Sequence, residues 1–229
     1  MTLNIEIQRT LDGSDTLFVP ELNEHYHSTF GAVQESTHVF IDQGLLVVDN
    51  NVDPVAVFEV GFGTGLNALL TLFTAKRQRR EVRYTAIELY PLENKVWETL
   101  NYPSFLQKPE TQELYKKIHE VPWESSHQVS QHFLLTKHKA DLRSFILPDS
   151  AFDVIYFDAF SPAVQPDLWT KQIFENIYGM LHPGGILVTY SSKGEVKRNL
   201  RDAGFSIEKL PGPPGKREIL RAKKNNYEC

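Results

Sequence analysis

Nine residues, Glu59-Val60-Gly61-Phe62-Gly63-Thr64-Gly65-Leu66-Asn67, constrain this chain most. The run before them, Val55-Ala56-Val57-Phe58-Glu59-Val60, reads as a buried strand. The run after them, residues 66–76, places apolar side chains at helical spacing. A strand that passes through three glycines into a helix sets a sharp turn where the backbone can take positive φ and approach a ligand closely. The free amides of the first helical turn favour an anionic group. In an open α/β sheet such a turn lies at the carboxyl ends of the strands, where nucleotides bind. A plain tight turn is the competing reading of the glycines alone.

Strand and helix signals alternate from there on. Residues 82–88, 152–158 and 186–192 read as strands. Residues 91–102 start a helix at Pro91, and residues 167–181 form another that stops at Pro183-Gly184-Gly185. Residues 127–138 read as an edge strand. Residues 193–204 form a short helix, and residues 205–224 form two closing strands around Pro211-Gly212-Pro213-Pro214-Gly215-Lys216. The alternation predicts parallel βαβ units in a doubly wound sheet with an antiparallel pair at one edge. Residues 1–50 read as β-structure with turns: a hairpin about Asp12-Gly13-Ser14-Asp15, then two strands at residues 38–44 and 45–50. The expected division is a small β extension over residues 1–50 and a Rossmann-like main domain over residues 51–229.

The 229 residues suffice for one large domain, and 41% hydrophobic against 23% charged residues predicts a packed core. The one cysteine, Cys229, allows neither an internal disulfide nor a cysteine metal site. The eight histidines show no metal-ligand spacing, and His25 and His27, flanking one tyrosine, are not read as a site. The first ten residues lack a signal-peptide pattern and no apolar run approaches a membrane span, so a cytoplasmic location is expected. The net charge of -5 is unevenly spread: residues 1–60 hold ten acids and one base, whereas residues 190–229 hold ten bases and five acids. The C-terminal part is thus able to meet a polyanion, with an ordinary solvated surface as the alternative.

The loop departs from the dinucleotide fingerprint, because the third glycine, Gly65, comes one residue early. Glu59, two residues before the first glycine, opposes a pyrophosphate. It suits a ligand with an ammonium and a sulfonium, as S-adenosylmethionine has. Glu88 ends the second core strand, where an acid accepts hydrogen bonds from ribose hydroxyls, and Asp141 is a candidate for the adenine amino group.

Four stretches together, residues 59–67, residues 87–93 (Ile-Glu-Leu-Tyr-Pro-Leu-Glu), residues 158–169 (Asp-Ala-Phe-Ser-Pro-Ala-Val-Gln-Pro-Asp-Leu-Trp) and residues 212–220, resemble a tRNA methyltransferase family. Its members make 5-methylaminomethyl-(2-thio)uridine at the wobble position, in many proteobacteria as one half of the bifunctional protein MnmC. The resemblance runs from about Tyr26 to Arg221 and leaves no room for the flavin-dependent oxidase half. It implies a class I, Rossmann-like fold with a seven-stranded, mostly parallel sheet and an antiparallel terminal strand. It also implies S-adenosyl-L-methionine as cofactor and tRNA as substrate. By motif, Gly61, Phe62, Gly63, Thr64, Gly65 and Asn67 would lie against the cofactor's methionine end beside Glu59. Glu88 would hold the ribose, and Asp141 with Leu142 the adenine. Tyr26-His27-Ser28 and Gln34-Glu35-Ser36 would fold over the cofactor. Asp158 and Phe160 would face the substrate. Ala140, Ala159 and Gln165 depart from the family's usual glycine, glycine and asparagine, which puts fine positioning in question.

Methyl transfer to nitrogen needs a neutral lone pair, and a primary alkylamine titrates near 10.4, so it arrives protonated. Asp158 is the expected anchor and proton relay for such an amine, with Pro162 and Pro166 stiffening its loop. Phe160 and Tyr190 are candidates to line the uracil pocket, or else core packing; Trp169 reads as packing at a helix start. Lys193, Lys197, Arg198, Arg201, Lys216 and Arg217 are candidate phosphate contacts. A small-molecule amine N-methyltransferase and an aminopropyltransferase are the rival enzyme readings. A catalytically silent tRNA-binding module is the third rival.

Overall fold

The computed structural model describes residues 4–146, 149 and 151–226, so Cys229 lies outside the described residues. Among the described residues eleven strands are formed: β1 Glu6–Arg9, β2 Asp15–Val19, β3 Glu24–His25, β4 Val55–Val60, β5 Val82–Ile87, β6 Ser126–Ser130, β7 Phe133–His138, β8 Phe152–Phe157, β9 Leu181–Thr189, β10 Ser206–Pro211 and β11 Glu218–Lys223. Among the same residues seven α-helices accompany them: α1 Ala32–Ser36, α2 Leu66–Gln78, α3 Asn94–Trp97, α4 Tyr102–Leu106, α5 Thr111–Glu120, α6 Lys171–Met180 and α7 Gly194–Asp202.

The main sheet has the order β10-β11-β9-β8-β4-β5-β7-β6. Strands β9, β8, β4, β5 and β7 run parallel; β11 and β6 run against them, and β10, paired antiparallel with β11, runs in their direction again. The sheet therefore has eight strands where seven are expected: residues 127–138 fold into two strands, with β6 forming the far edge. The chain winds outward in opposite directions from β4, through β5 to β7 and through β8 to β9. This reversal opens a crevice beyond the carboxyl ends of β4 and β8.

The central strands are apolar on both faces because both faces are covered. Val57, Tyr156 and Val188 point into one core layer with Leu66 and Leu69 of α2. Their neighbours Phe58, Phe157 and Leu187 point into the opposite layer with Phe174 of α6 and Leu200 of α7. This period-2 alternation between two buried layers fixes the register.

The hairpin about Gly13 is present as β1 and β2, paired antiparallel. The next two expected strands are not. Thr37–Asp42 forms a π-helical turn and Leu45–Val47 a 3₁₀ turn. Val39, Phe40 and Ile41 are all buried, with Phe40 against Tyr156 at 5.2 Å between ring centroids. Packing against Tyr156 and α2, rather than pairing with a strand, sets this turn. The segment is stitched to the core by the Arg80 guanidinium, which donates to the carbonyls of Val48, Asp49 and Val52. Two helix starts also shift. Asn94 rather than Pro91 opens α3, and Thr170 caps α6 by accepting from the Ile173 amide at 3.4 Å. Residues 166–168 form a separate 3₁₀ turn. Helix α5 has no counterpart in the sequence reading. Among the described residues, no helix is long and apolar enough to cross a membrane.

Candidate active site

The crevice holds a cleft of about 630 Å³. Its floor is the turn between β4 and α2. Gly61 (φ +88°) and Gly63 (φ +48°) take backbone conformations that L side chains rarely adopt. A Cβ on Gly61 would come within 2.7 Å of the Asp158 carbonyl oxygen, so only glycine lets β4 and β8 end side by side. Gly63 lies under the Tyr26 ring, which a Cβ would meet at 3.3 Å.

Asn67, on the first turn of α2, organises the acids. Its Nδ2 donates to Glu59 Oε1 at 3.0 Å and to Asp158 Oδ2 at 2.8 Å. Its Oδ1 is buried without a hydrogen-bond partner among the described residues. Glu59 is fully buried behind Asn67, and burial pushes its carboxyl well above the ordinary range, with the Asp158 charge adding to it. Asp158 follows β8 and opens on the cleft. Burial raises its carboxyl to about 7, against the opposing hydrogen bond from Asn67. Glu88 accepts from the Gly63 amide at 3.1 Å and the Tyr90 amide at 2.9 Å, and burial raises it too.

The loop after Asp158 is held by its own side chains. Trp169 Nε1 donates to the Phe160 carbonyl at 2.8 Å, and the Phe160 amide donates to Gln165 Oε1 at 3.2 Å. Gln165, a departure from the family pattern, thus braces the loop. Trp169 is buried against Phe157 and Phe174, a packing residue. The Tyr190 hydroxyl donates to the Ala159 carbonyl at 2.9 Å. Phe160 meets Tyr26 edge to face, with centroids 5.0 Å apart. The N-terminal segment crosses the cleft and is tied at two points: Ser161 Oγ donates to Glu24 at 3.0 Å, and His27 Nε2 lies 2.9 Å from Thr64 Oγ1. Burial lowers His27 to about 4, so this link is made by a neutral imidazole.

Of the residues expected at the site, Tyr26, His27, Ser28, Glu35, Gly61, Phe62, Gly63, Thr64, Asn67, Glu88, Asp141, Leu142, Asp158, Phe160, Tyr190 and Lys216 line the cleft. Others do not. Glu59 reaches it only through Asn67. Gly65 is turned toward His119, 2.8 Å from where its Cβ would stand. Ser36 is buried in the core, and Gln34 is exposed outside. Lys193 and Arg217 are exposed outside the cleft, as are Arg198 and Arg201. Lys197 pairs with Glu218 instead of standing free. Lys216 is not an outward phosphate contact either, because it pairs with Glu35 inside the cleft. Sequence reasoning missed Arg143, which grips Asp141 with Nε at 3.0 Å from both carboxylate oxygens and reaches Asp167 at 3.5 Å. The i, i+2 spacing of acid and base in a turn was the available signal.

The residues present fit S-adenosyl-L-methionine. The wall is rich in carboxylates, suited to a sulfonium and an ammonium. The buried Asn67 Oδ1 is a free acceptor, and two positive-φ glycines leave backbone exposed for close contact.

Residues 107–225 match a family model described as S-adenosyl-L-methionine-dependent methyltransferase. The chain is 30% identical to the tRNA 5-methylaminomethyl-2-thiouridine biosynthesis bifunctional protein MnmC of Pseudoalteromonas atlantica, over 94% of this chain and 33% of that protein. It is 32% identical to the MnmC of Azoarcus sp., over 86% of this chain and 32% of that protein. It therefore spans about a third of the length of these curated relatives. The solved structure of MnmC2 from Aquifex aeolicus superposes with a TM-score of 0.81 at 25% identity, covering 100% of this chain and 72% of that one. Spermidine synthase from Thermotoga maritima, at 12% identity and a TM-score of 0.56, shares the fold alone. Glycine turn, acid-lined cleft and family match agree: this chain is an enzyme that uses S-adenosyl-L-methionine, and it belongs to the methyltransferase family that includes the corresponding region of MnmC.

Proposed function

We propose that the chain methylates the exocyclic amine of 5-aminomethyl-(2-thio)uridine at wobble position 34 of tRNA, giving 5-methylaminomethyl-(2-thio)uridine. The observation that carries this reading is the Asp158 carboxylate, held by Asn67 at the cleft and flanked by Phe160 and Tyr190. An acid between aromatic walls suits an amine on a planar base, and MnmC relatives bear the name of that modification.

S-adenosyl-L-methionine, when bound, supplies an electrophilic methyl group on a sulfonium. Gly61, Gly63 and Asn67 would hold its methionine end, Glu88 its ribose, and Asp141 with Leu142 its adenine. Asp158 accepts a hydrogen bond from the substrate amine and aims the nitrogen. Its carboxyl titrates near neutrality, so it can take a proton from the amine and pass it to water. Phe160 offers a ring to the base, fixed from behind by Trp169 and Gln165. Positioning of this kind supplies much of the rate in a bimolecular transfer. We assign residues 1–50 to a cover over the cofactor site and residues 51–229 to the catalytic domain. The exposed Lys193, Arg198, Arg201 and Arg217 supply the phosphate contacts, and a cytoplasmic location follows from the substrate.

The test uses labelled S-adenosyl-L-methionine and tRNA from cells lacking this activity. The native chain is expected to label the tRNA. Asp158→Ala is expected to lose about 100-fold or more in rate while cofactor affinity by calorimetry changes little. Undiminished labelling by Asp158→Ala removes the assigned role of Asp158.

A further inference from the structure

Lys216 is the basic residue of the C-terminal part that the fold turns into the cleft. Its ammonium pairs with Glu35 and stands 4.0 Å from the centre of the Tyr190 ring. Glu35 is held in turn by the Ser28 amide, which donates to it at 2.7 Å. Lys216, Glu35, Tyr190 and Asp158 all line the same end of the cleft, and the charges of Glu35 and Lys216 act on Asp158 in opposite senses. At the opposite end, beyond β5, the other cation of the cleft wall, Arg143, is engaged by Asp141 and Asp167.

An alkylammonium must lose a proton before its nitrogen can attack, and an all-acid pocket works against that. Carboxylates favour the charged form of an amine, whereas a fixed cation nearby favours the neutral form. The groups facing this end are Asp158 and Glu59 joined by Asn67, Glu35 from α1, Glu24 from β3, Glu88 beyond β5, the neutral His27, Tyr190 and Lys216. Lys216 is the only one of them that is a fixed cation. Its loop is clamped as well: the Lys216 amide donates to the Pro213 carbonyl at 2.9 Å, and His38 Nε2 lies 2.8 Å from the Pro211 carbonyl oxygen.

We propose that Lys216 is a positioning residue whose charge, fixed by Glu35 above Tyr190, drives the bound substrate amine to its neutral form before methyl transfer. This rests on the amine substrate argued above. The ammonium gives one proton to the Asp158 carboxylate, and thence to water, while the nitrogen keeps the electron pair.

Lys216→Met and Glu35→Gln break the same ion pair but change the local charge in opposite senses, which separates a charge effect from loss of a clasp. In the cofactor-free protein, carboxyl-carbon NMR is expected to show the Asp158 titration moving up in Lys216→Met and down in Glu35→Gln, by roughly one pH unit. In single-turnover methylation of tRNA bearing the aminomethyl group, the ascending limb of the pH–rate profile is expected to move alkaline in Lys216→Met and acid in Glu35→Gln. Lys216→Arg, which keeps the charge, is expected to leave the limb in place. Shifts of the same sign in both variants, or a uniform loss at every pH, overturn the charge role. If the native chain leaves the aminomethyl tRNA unmethylated, the functional reading falls first and this inference with it.

Discussion

At the residue scale, the chemistry proposed for Asp158 has a cost in stability. Asp158 titrates near 3.8 in an unfolded chain and near 7 in the fold. Between those values the folded form binds the extra proton, so stability falls as pH rises, and the loss is complete above about 7. Asp158→Asn removes the titration. The variant is expected to match the native protein near pH 4 and to exceed it at pH 8 by on the order of 1–3 kcal/mol, read from urea unfolding at both pH values. A native stability that does not decline from pH 4 to pH 8 relative to the variant contradicts the raised carboxyl. Asn67 was legible as a loop residue, and Asp158 as a strand-end acid. Their direct hydrogen bond was not, because they stand 91 positions apart and meet only when β4 and β8 pair.

At the element scale, the turn between β4 and α2 depends on glycine for two separate reasons: positive φ, and contact with β8. Gly61→Ala is expected to cost about 2 kcal/mol or more in denaturation and to weaken cofactor binding. Gly194, at the start of α7, is a fair control. A Cβ there meets only the end of Arg198, at 3.5 Å, so Gly194→Ala is expected to be neutral or slightly stabilising. Equal losses in the two variants contradict the assigned role of the turn. This element, with its flanking strand and helix, was readable because glycine spacing and apolar period agree. The segment Thr37–Asp42 was not. His38-Val39-Phe40-Ile41 has strand composition, and only contact with Tyr156 and the buried layer made by α2 decides for a helix. Residues 127–138 hid two strands because β6 is largely exposed and weakly apolar. Helix α5 was missed because it is a short, mostly polar stretch between α4 and β6, and only Thr111, Leu114, Tyr115 and Ile118 of it reach the core.

At the scale of the whole molecule, an acidic chain presents a basic edge beside an acidic cleft. Lys193 stands at the N-cap of α7, Arg198 midway along it and Arg217 just before β11, all exposed. Replacing Lys193, Arg198 and Arg217 together with glutamate is expected to weaken tRNA binding at least tenfold at low salt. It should also flatten the dependence of affinity on salt, without changing cofactor affinity. Unchanged tRNA affinity assigns the interface elsewhere. The charge asymmetry was visible in the sequence, but which lysines turn inward was not: Lys197 and Lys216 are spent on Glu218 and Glu35. Methylation of the wobble amine is tested with two tRNAs that differ only at position 34, one bearing 5-aminomethyl-(2-thio)uridine and one bearing unmodified uridine. Each is incubated with the protein and labelled S-adenosyl-L-methionine, then digested for nucleoside mass analysis. One added methyl is expected on the aminomethyl nucleoside of the first tRNA and none in the second. Label in both tRNAs, or in neither, contradicts it.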